Sequence, residues 1–287
     1  MAQVHSQTIL LTSARGKTGR PLLDALLAQG VSEVRAGTTR PDDADLPGTV
    51  VRFDWSDRQS WRPALDGVTG VYLVRPDRED APELIAELTA LAGGAHVVLL
   101  SEQGAELLGD DDWAPRVEQA VRSNTENWTI LRPSWFHQVL TDERFYLDPI
   151  RHGATLPLSS RGGAIAFVDA VDIAGVAAAA LVQGAAHRRS IHTITGPEAL
   201  TIAEVAELLT GELGRTIAPV DPDPLDGVDN AFERYISGQL TDRVAQGDFA
   251  VVTDTVRETT GARPRSMAQF VHAHRATLGG ADVDANP

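Results

Sequence analysis

Short apolar runs separated by amphipathic stretches set the plan of this chain. The run TILLT at 8–12 is followed by GRPLLDALLAQG at 19–30, in which Leu22, Leu23, Leu26 and Leu27 fall on one helical face and Gly30 stands as a stop. The same alternation repeats. EVRAGTT (33–39) and VVRFD (50–54) read as strands, a helix is predicted over 58–65, and GVYLV (70–74) as the next strand. The amphipathic APELIAELTALAGG (81–94), the strand HVVLLS (96–101), the helix RVEQAVRS (116–123) and the strand WTILRPS (128–134) follow. Strands alternating with helices of this length predict βαβ units and a parallel sheet.

After Pro133 the texture changes. FVDAVDIAGVAAAALVQG (167–184) reads as a strand end entering an Ala-rich helix, with Asp169 or Asp172 near its start, where a carboxylate suits the helix dipole. SIHTITG (190–196) is a further strand. TIAEVAELLTGELG (201–214) opens with Thr201 and has Glu204 three residues on, a capping box. PVDPDPLDGVD (219–229) is a polar, Pro-rich loop, 230–247 a helix, and the tail 279–287 frayed. The expected architecture is an α/β, Rossmann-type, doubly wound parallel sheet over 1–150. A smaller C-terminal substrate-binding lobe over 151–287 is interleaved with it.

Composition narrows the class. Apolar residues make up 43 % of the 287, enough for a core, and the formal net charge is −15. That sign argues against nucleic acid or an anionic membrane as partner, because both need clustered cations. The absence of cysteine excludes disulfides, thiol catalysis and thiolate metal sites. MAQVHSQT lacks the pattern of a secretory signal, and no run of 18 apolar residues exists, so the expectation is a cytoplasmic protein acting on a small molecule. No metal site is expected. His272 and His274 are two apart, and the acidic run at 109–112 lacks calcium-loop spacing.

The most informative stretch is the first turn, where a strand, a Gly-rich turn and a helix N-terminus make an anion site. The spacing is Ser13-x-x-Gly16-x-x-Gly19, with serine where such turns carry their first glycine. Arg15 and Lys17 add positive charge, and Thr12 and Thr18 flank the turn. It is not a Walker A loop, since position 11 is Leu. The second strand ends Thr38-Thr39-Arg40, hydroxyls and a guanidinium that suit a ribose 2′-phosphate, so NADP is expected over NAD. Arg40 as a plain solvated residue before Pro41 is the competing reading.

GKTGRPLL (16–23), VRFDWSDRQSWRPALDGVTGVYLVRP (51–76), WTILRPSWFHQ (128–138), FVDAVDIAGVAAAAL (167–181), TGPEALTIAEVAELL (195–209) and TGARPRSMAQFVHAH (260–274) together resemble a known group. They are similar to the atypical short-chain dehydrogenase/reductase proteins of the NmrA-like type. Within these they are most similar to the fungal festuclavine/agroclavine dehydrogenases of ergot alkaloid biosynthesis and their bacterial relatives. The resemblance implies that 16–19 hold the pyrophosphate and that Thr39 and Arg40 sit at the adenosine phosphate. It also implies that Asp54 and Trp55 flank adenine. Val74, Arg75 and Pro76 would pass the pyrophosphate and nicotinamide ribose, and Ser101 would lie near the nicotinamide. Pro133, Ser134, Trp135 and Phe136 would close over it and begin the substrate pocket. Ser13, Arg15, Glu102 and Gln103 depart from the family's usual pattern.

Typical short-chain dehydrogenases use a Tyr-x-x-x-Lys pair, the Lys lowering the Tyr pKa. Tyr72, Tyr146 and Tyr235 are the tyrosines here and none has a lysine four residues on. The ergot-type resemblance implies a route without that acid, hydride transfer to an imine, iminium or activated C=C. Trp113 and Trp135 are candidate platforms for a planar or cationic substrate. His137 and Glu102 are candidate proton-transfer groups, with Ser101 beside them, and Tyr146 and Tyr235 candidate pocket walls. Two other readings stay open: an NADP(H)-binding redox sensor or regulator without chemistry, and a non-redox cyclase or isomerase on a degenerate cofactor fold.

Overall fold

The computed structural model describes residues 7–43 and 45–280; the N-terminal octet and the tail considered above lie largely outside them. The chain forms two compact units. The first comprises 1–133, 170–193 and 258–261, and the second 134–169, 194–257 and 262–287. The first crossing thus follows Pro133 rather than residue 150.

The first unit is built on strands β1 (Thr8–Leu11), β2 (Glu33–Thr38), β3 (Thr49–Arg52), β4 (Gly70–Val74), β5 (His96–Leu100) and β6 (Trp128–Pro133). Helices α1 (Gly19–Ala28), α2 (Trp61–Leu65), α3 (Ala81–Leu91) and α4 (Trp113–Arg122) connect them. The chain then contributes β7 (Thr155–Pro157) and β8 (Ala164–Ile165) to the second unit, and returns with α5 (Ala170–Val182) and β9 (Ser190–Ile194). The main sheet has the order β3-β2-β1-β4-β5-β6-β9, and its pairs from β3 through β6 are parallel. Helix α1 packs on α5 and α3 on α4, so both faces are covered, which is why β1, β4 and β5 are continuous apolar runs rather than alternating ones. Strand order reverses between β1 and β4, the point where doubly wound sheets bind ligands.

Local chemistry explains the boundaries. Leu22, Leu23 and Leu26 of α1 are buried, each burial stabilising by about 1.5–3 kcal/mol, and Gly30 beyond the helix end has φ +76°. The predicted helix over 58–65 starts as a 3₁₀ turn, Arg58–Ser60, because Asp57 accepts the Gln59 amide before α2 begins.

The second unit continues with β10 (Leu200–Thr201), α6 (Ile202–Leu213), β11 (Ala218–Val220), α7 (Ala231–Gln246), α8 (Thr255–Thr260), α9 (Met267–Ala273) and α10 (Arg275–Gly279). Residues 258–260 of α8 belong to the first unit. The Thr201/Glu204 capping box forms as expected, and Gly214 ends α6 at φ +67°. The Pro-rich segment at 219–229 is not wholly loop. Its start pairs with β7 as β11, an exposed strand whose proline and lack of alternation hide it from pattern reading. The unit's core gathers Leu140, Ile150, Phe167, Val205, Leu209, Phe249 and Phe270 among others. No helix of the described residues is long and apolar enough to cross a membrane.

A histidine group marks the start of β5. His96 is buried, its Nε2 2.8 Å from Thr129 Oγ1, and His187 Nδ1 lies 3.0 Å from His192 Nε2. Desolvation, then Arg188 and His187, lower the His96 pKa to about 4. His187 and His192 are also lowered, burial being the main cause. A lowered folded-state value means that the unfolded chain takes up protons first as pH falls. Stability is therefore full above about pH 6.5 and declines towards pH 4. Thermal unfolding followed across that window should show a falling midpoint, with a shallower fall in His96→Gln; equal slopes in the two proteins would contradict this assignment.

Candidate functional site

The turn after β1 is fixed from below by hydroxyls. Thr12 Oγ1 donates to the Tyr72 carbonyl at 3.2 Å and accepts from the Val74 amide at 3.0 Å, tying β1 to β4 where the strand order reverses. The Tyr72 hydroxyl donates to Thr18 Oγ1 at 2.9 Å, and burial pushes its pKa up, so it stays protonated. Thr12 and Thr18 are thus braces. Thr18 precedes α1 without capping it by its side chain, and the helix has no acidic residue in its first turn. The α1 dipole is left for an external anion.

The serine in the first-glycine position is accommodated. Among the described non-glycine residues, φ is positive only at Ala154, Arg161 and Arg189, so Ser13 carries no left-handed strain. A Cβ at Gly16 would stand 2.7 Å from Ser13 Oγ, and one at Gly19 1.8 Å from the Ser13 carbonyl oxygen. Gly16 makes room for the serine hydroxyl, and Gly19 lets α1 approach the turn. Arg15 is exposed and Lys17 half-buried.

At the end of β2, Thr39 and Arg40 are exposed, and the Arg40 amide donates to Thr38 Oγ1 at 3.3 Å. A second guanidinium, missed by sequence reasoning, joins them. Arg52 of β3 donates to the Thr39 carbonyl at 3.3 Å and pairs with Asp57 at 3.2 Å. Its signal was the arginine in VVRFD, at the corresponding end of the neighbouring strand. Asp54 accepts the Ser56 amide at 2.8 Å, and Trp55 packs edge-on against Phe53 and Trp61 at 5.2 and 5.6 Å.

Beyond β4, Arg75 follows Val74 and precedes Pro76. Its Nη2 donates to Glu102 Oε2 at 2.7 Å and its guanidinium lies 4.4 Å from the Trp113 ring centroid. Arg75 Nη1 is buried with no hydrogen-bond partner in the protein. Glu102, expected as a base, is held in this ion pair with 17 % side-chain exposure. Trp113, expected as a substrate platform, is 6 % exposed and donates to the Arg78 carbonyl at 2.9 Å; it is packing at the head of α4.

Ser101 turns its hydroxyl to Glu118 Oε1 at 2.8 Å. Glu118 also receives Arg132 bidentately at 2.8 and 2.7 Å and Arg122 at 2.8 Å, while Arg132 reaches Glu106 at 2.5 Å. The helix after β5 thus carries a carboxylate and an arginine spent on a buried ionic network. Pro133 ends β6, its carbonyl accepting the buried Gln103 amide at 2.9 Å.

In the second unit, the Ser134 amide donates to the Ile194 carbonyl at 2.9 Å, and Phe136 bridges to Val168. Trp135 packs edge-on against Phe249 at 6.1 Å. His137 is fully buried, 5.2 Å from the Phe270 ring, with neither ring nitrogen hydrogen-bonded. Asp169, 3.9 Å from it, is engaged by Gln138 and Arg265. His137 is therefore a core residue rather than the expected proton donor. Trp135 and Tyr146 do meet, lining one cavity of about 350 Å³ with Phe145 and Leu240. Burial pushes the Tyr146 pKa up to about 12. Tyr235 is 40 % exposed, accepts from Gln239 at 3.1 Å, and does not line that cavity. Among the described residues no His/Cys/Asp/Glu group has the arrangement of a metal site.

Residues 13–183 match the NAD(P)H-binding family model. The chain is 34 % identical to a (4-alkanoyl-5-oxo-2,5-dihydrofuran-3-yl)methyl phosphate reductase of Streptomyces griseus, over 93 % of this chain and 97 % of that one. It is 32 % identical to an agroclavine dehydrogenase of Claviceps fusiformis, over 92 % and 96 %. Among solved structures, the NADPH-dependent quinone oxidoreductase of Escherichia coli complexed with NADPH superimposes with a TM-score of 0.79, covering 92 % of this chain and 99 % of that one at 19 % identity. NmrA, a negative transcriptional regulator, in complex with NADP gives 0.73 at 16 % identity over 93 % and 95 %. These two show the fold.

The Ser13–Gly16 fit generates a coupling test. Gly16→Ala should destabilise by about 1–3 kcal/mol and weaken cofactor binding, and adding Ser13→Ala should recover more than half of the loss, since the colliding Oγ is gone. Strict additivity in unfolding and binding measurements would contradict the fit.

Proposed function

The chain belongs to the NAD(P)H-binding family, and from that premise we propose that it is an NADPH-dependent reductase of an imine, iminium or activated C=C in a small conjugated molecule. The observation that carries this is the intact first turn. Ser13 is relaxed, Gly16 and Gly19 are required by their surroundings, and an uncapped helix faces the anion site. The buried, unpartnered Arg75 Nη1 fits a cofactor oxygen as its missing acceptor. Arg40 and Thr39, with Arg52 beside them, suit the 2′-phosphate and so NADPH over NADH.

When bound, NADPH supplies hydride. The protein's share is to position the acceptor and leave it no competing path. Ser101 is turned to Glu118, Glu102 is paired to Arg75, His137 is buried, and none of the three tyrosines has a lysine four residues on, which supports a route without a tyrosine–lysine acid. An iminium needs none, because the electron pair released from its π bond neutralises the nitrogen. An enone needs a hydrogen-bond donor at its oxygen, and Tyr146 stays protonated to well above neutral pH. The two relatives matched over nearly their whole lengths are named as a reductase and a dehydrogenase, which favours chemistry over a sensor or a cyclase.

Titration with NADPH and NADH tests the cofactor half. Arg40→Ala should weaken NADPH binding about 10–100-fold, the range for one charge-assisted hydrogen-bonded contact, and change NADH binding little. Equal affinity for the two cofactors, or none for either, would overturn the assignment.

A further inference from the structure

The cavity of the second unit has a composition that the reductase reading does not require. Every residue lining it is uncharged. Aromatic faces come from Trp135, Phe145 and Tyr146, and side-chain polar atoms from the Trp135 indole N–H and the hydroxyls of Tyr146, Ser159, Ser237 and Thr241. The Ser159 hydroxyl is already spent on the Pro222 carbonyl at 2.7 Å.

The arginines near the lining segments are paired, and none of them lines the cavity. Arg144, whose largely exposed guanidinium lies 5.9 Å from the Phe145 ring centroid, is gripped bidentately by Asp142 at 3.0 and 2.7 Å. Arg161 pairs with Asp242, next to the lining Thr241. Arg234 donates to the Leu225 and Val228 carbonyls at 3.2 and 2.8 Å. The segment that lends Pro224 to the lining carries Asp221, Asp223, Asp226 and Asp229. Asp221 accepts the Ser160 and Gly162 amides, which leaves its charge in place beside the cavity. The local field is negative and the interior offers no counter-cation.

Burying a phosphate there would cost its hydration without an ion pair in return. A flat cation loses less, since aromatic faces and a negative surround both favour it. The named substrate of the Streptomyces griseus relative is a phosphate ester, and the cationic partner that such a group calls for is missing from this lining.

We propose that this cavity is a charge filter, admitting planar conjugated acceptors that are neutral or cationic, excluding phosphate esters, and holding a carbonyl or imine lone pair by the Tyr146 hydroxyl. The proposal rests on the reductase reading for the word acceptor and on the cavity alone for the selection.

Calorimetry on the full chain with three probes tests it: 4-(hydroxymethyl)chalcone, its phosphate monoester, and the iminium 2-methyl-3,4-dihydroisoquinolinium. The alcohol and the iminium should bind, and the phosphate ester at least about 100-fold more weakly than the alcohol. Tyr146→Phe should weaken the chalcone alcohol about three- to tenfold, the loss of one neutral hydrogen bond. It should leave the iminium unchanged, because that nitrogen has no lone pair to offer, and this unchanged binding also shows that the variant is folded. Ser237→Arg, at a half-exposed position on α7, should raise phosphate-ester binding about tenfold or more. Comparable binding of alcohol and phosphate ester, binding of none of the three, or equal losses for chalcone and iminium in Tyr146→Phe would overturn it. NADPH consumption is read separately. Selective binding without consumption would sink the reductase reading and leave the filter standing; consumption of the phosphate ester as fast as the alcohol would do the reverse.

Discussion

The close approach of α1 to the Ser13 carbonyl is the contact on which the first unit depends. A Cβ at Gly19 would lie 1.8 Å from that oxygen, so only glycine lets the helix start where it does. The turn is held from the other side by two threonines and a tyrosine. Thr12 ties β1 to β4, and Tyr72 reaches from β4 to Thr18 at the mouth of α1. These contacts fix the helix N-terminus at the reversal of strand order, where helix N-termini of such sheets favour an anion. A serine replaces the usual first glycine at little cost because Gly16 leaves space for its hydroxyl.

A second constraint shapes the chemistry. Glu118 and Arg132 are both nearly inaccessible, joined bidentately, and further tied to Ser101, Arg122 and Glu106. Such a network is stable only when complete, and removing one partner of a buried pair typically costs about 3–5 kcal/mol. The helix after β5 is therefore spent on structure. The cavity of the second unit is lined by aromatic faces and hydroxyls and carries no charged side chain.

Much of this was legible from residue order. The alternation of apolar runs and amphipathic stretches specified the parallel sheet and its helices, and Thr201 with Glu204 specified the start of α6, because each signal is local. The glycine-rich turn between β1 and α1 was legible for the same reason. Partnering was not. Ser101, Glu102, Trp113 and His137 look reactive in a linear reading, but their environments come from residues far along the chain: Glu118, Arg75, Arg78 and Phe270. Arg52 escaped notice because its role depends on strand register with β2. β11 escaped because an exposed strand with a proline carries no periodic signal. Trp135 was expected as a platform and Tyr146 as a pocket wall, and the uncharged cavity lining they share depends also on α7 and the segment before it.

The decisive measurement follows the hydride itself. The protein would be given NADPH deuterated on the transferring face of C4 together with a cyclic iminium, and the product analysed by mass spectrometry. A functional site of the kind described predicts one deuterium in the amine, bound to the former iminium carbon, with NADH a much poorer donor. An unlabelled product, or an unchanged iminium beside tightly bound NADPH, would contradict it.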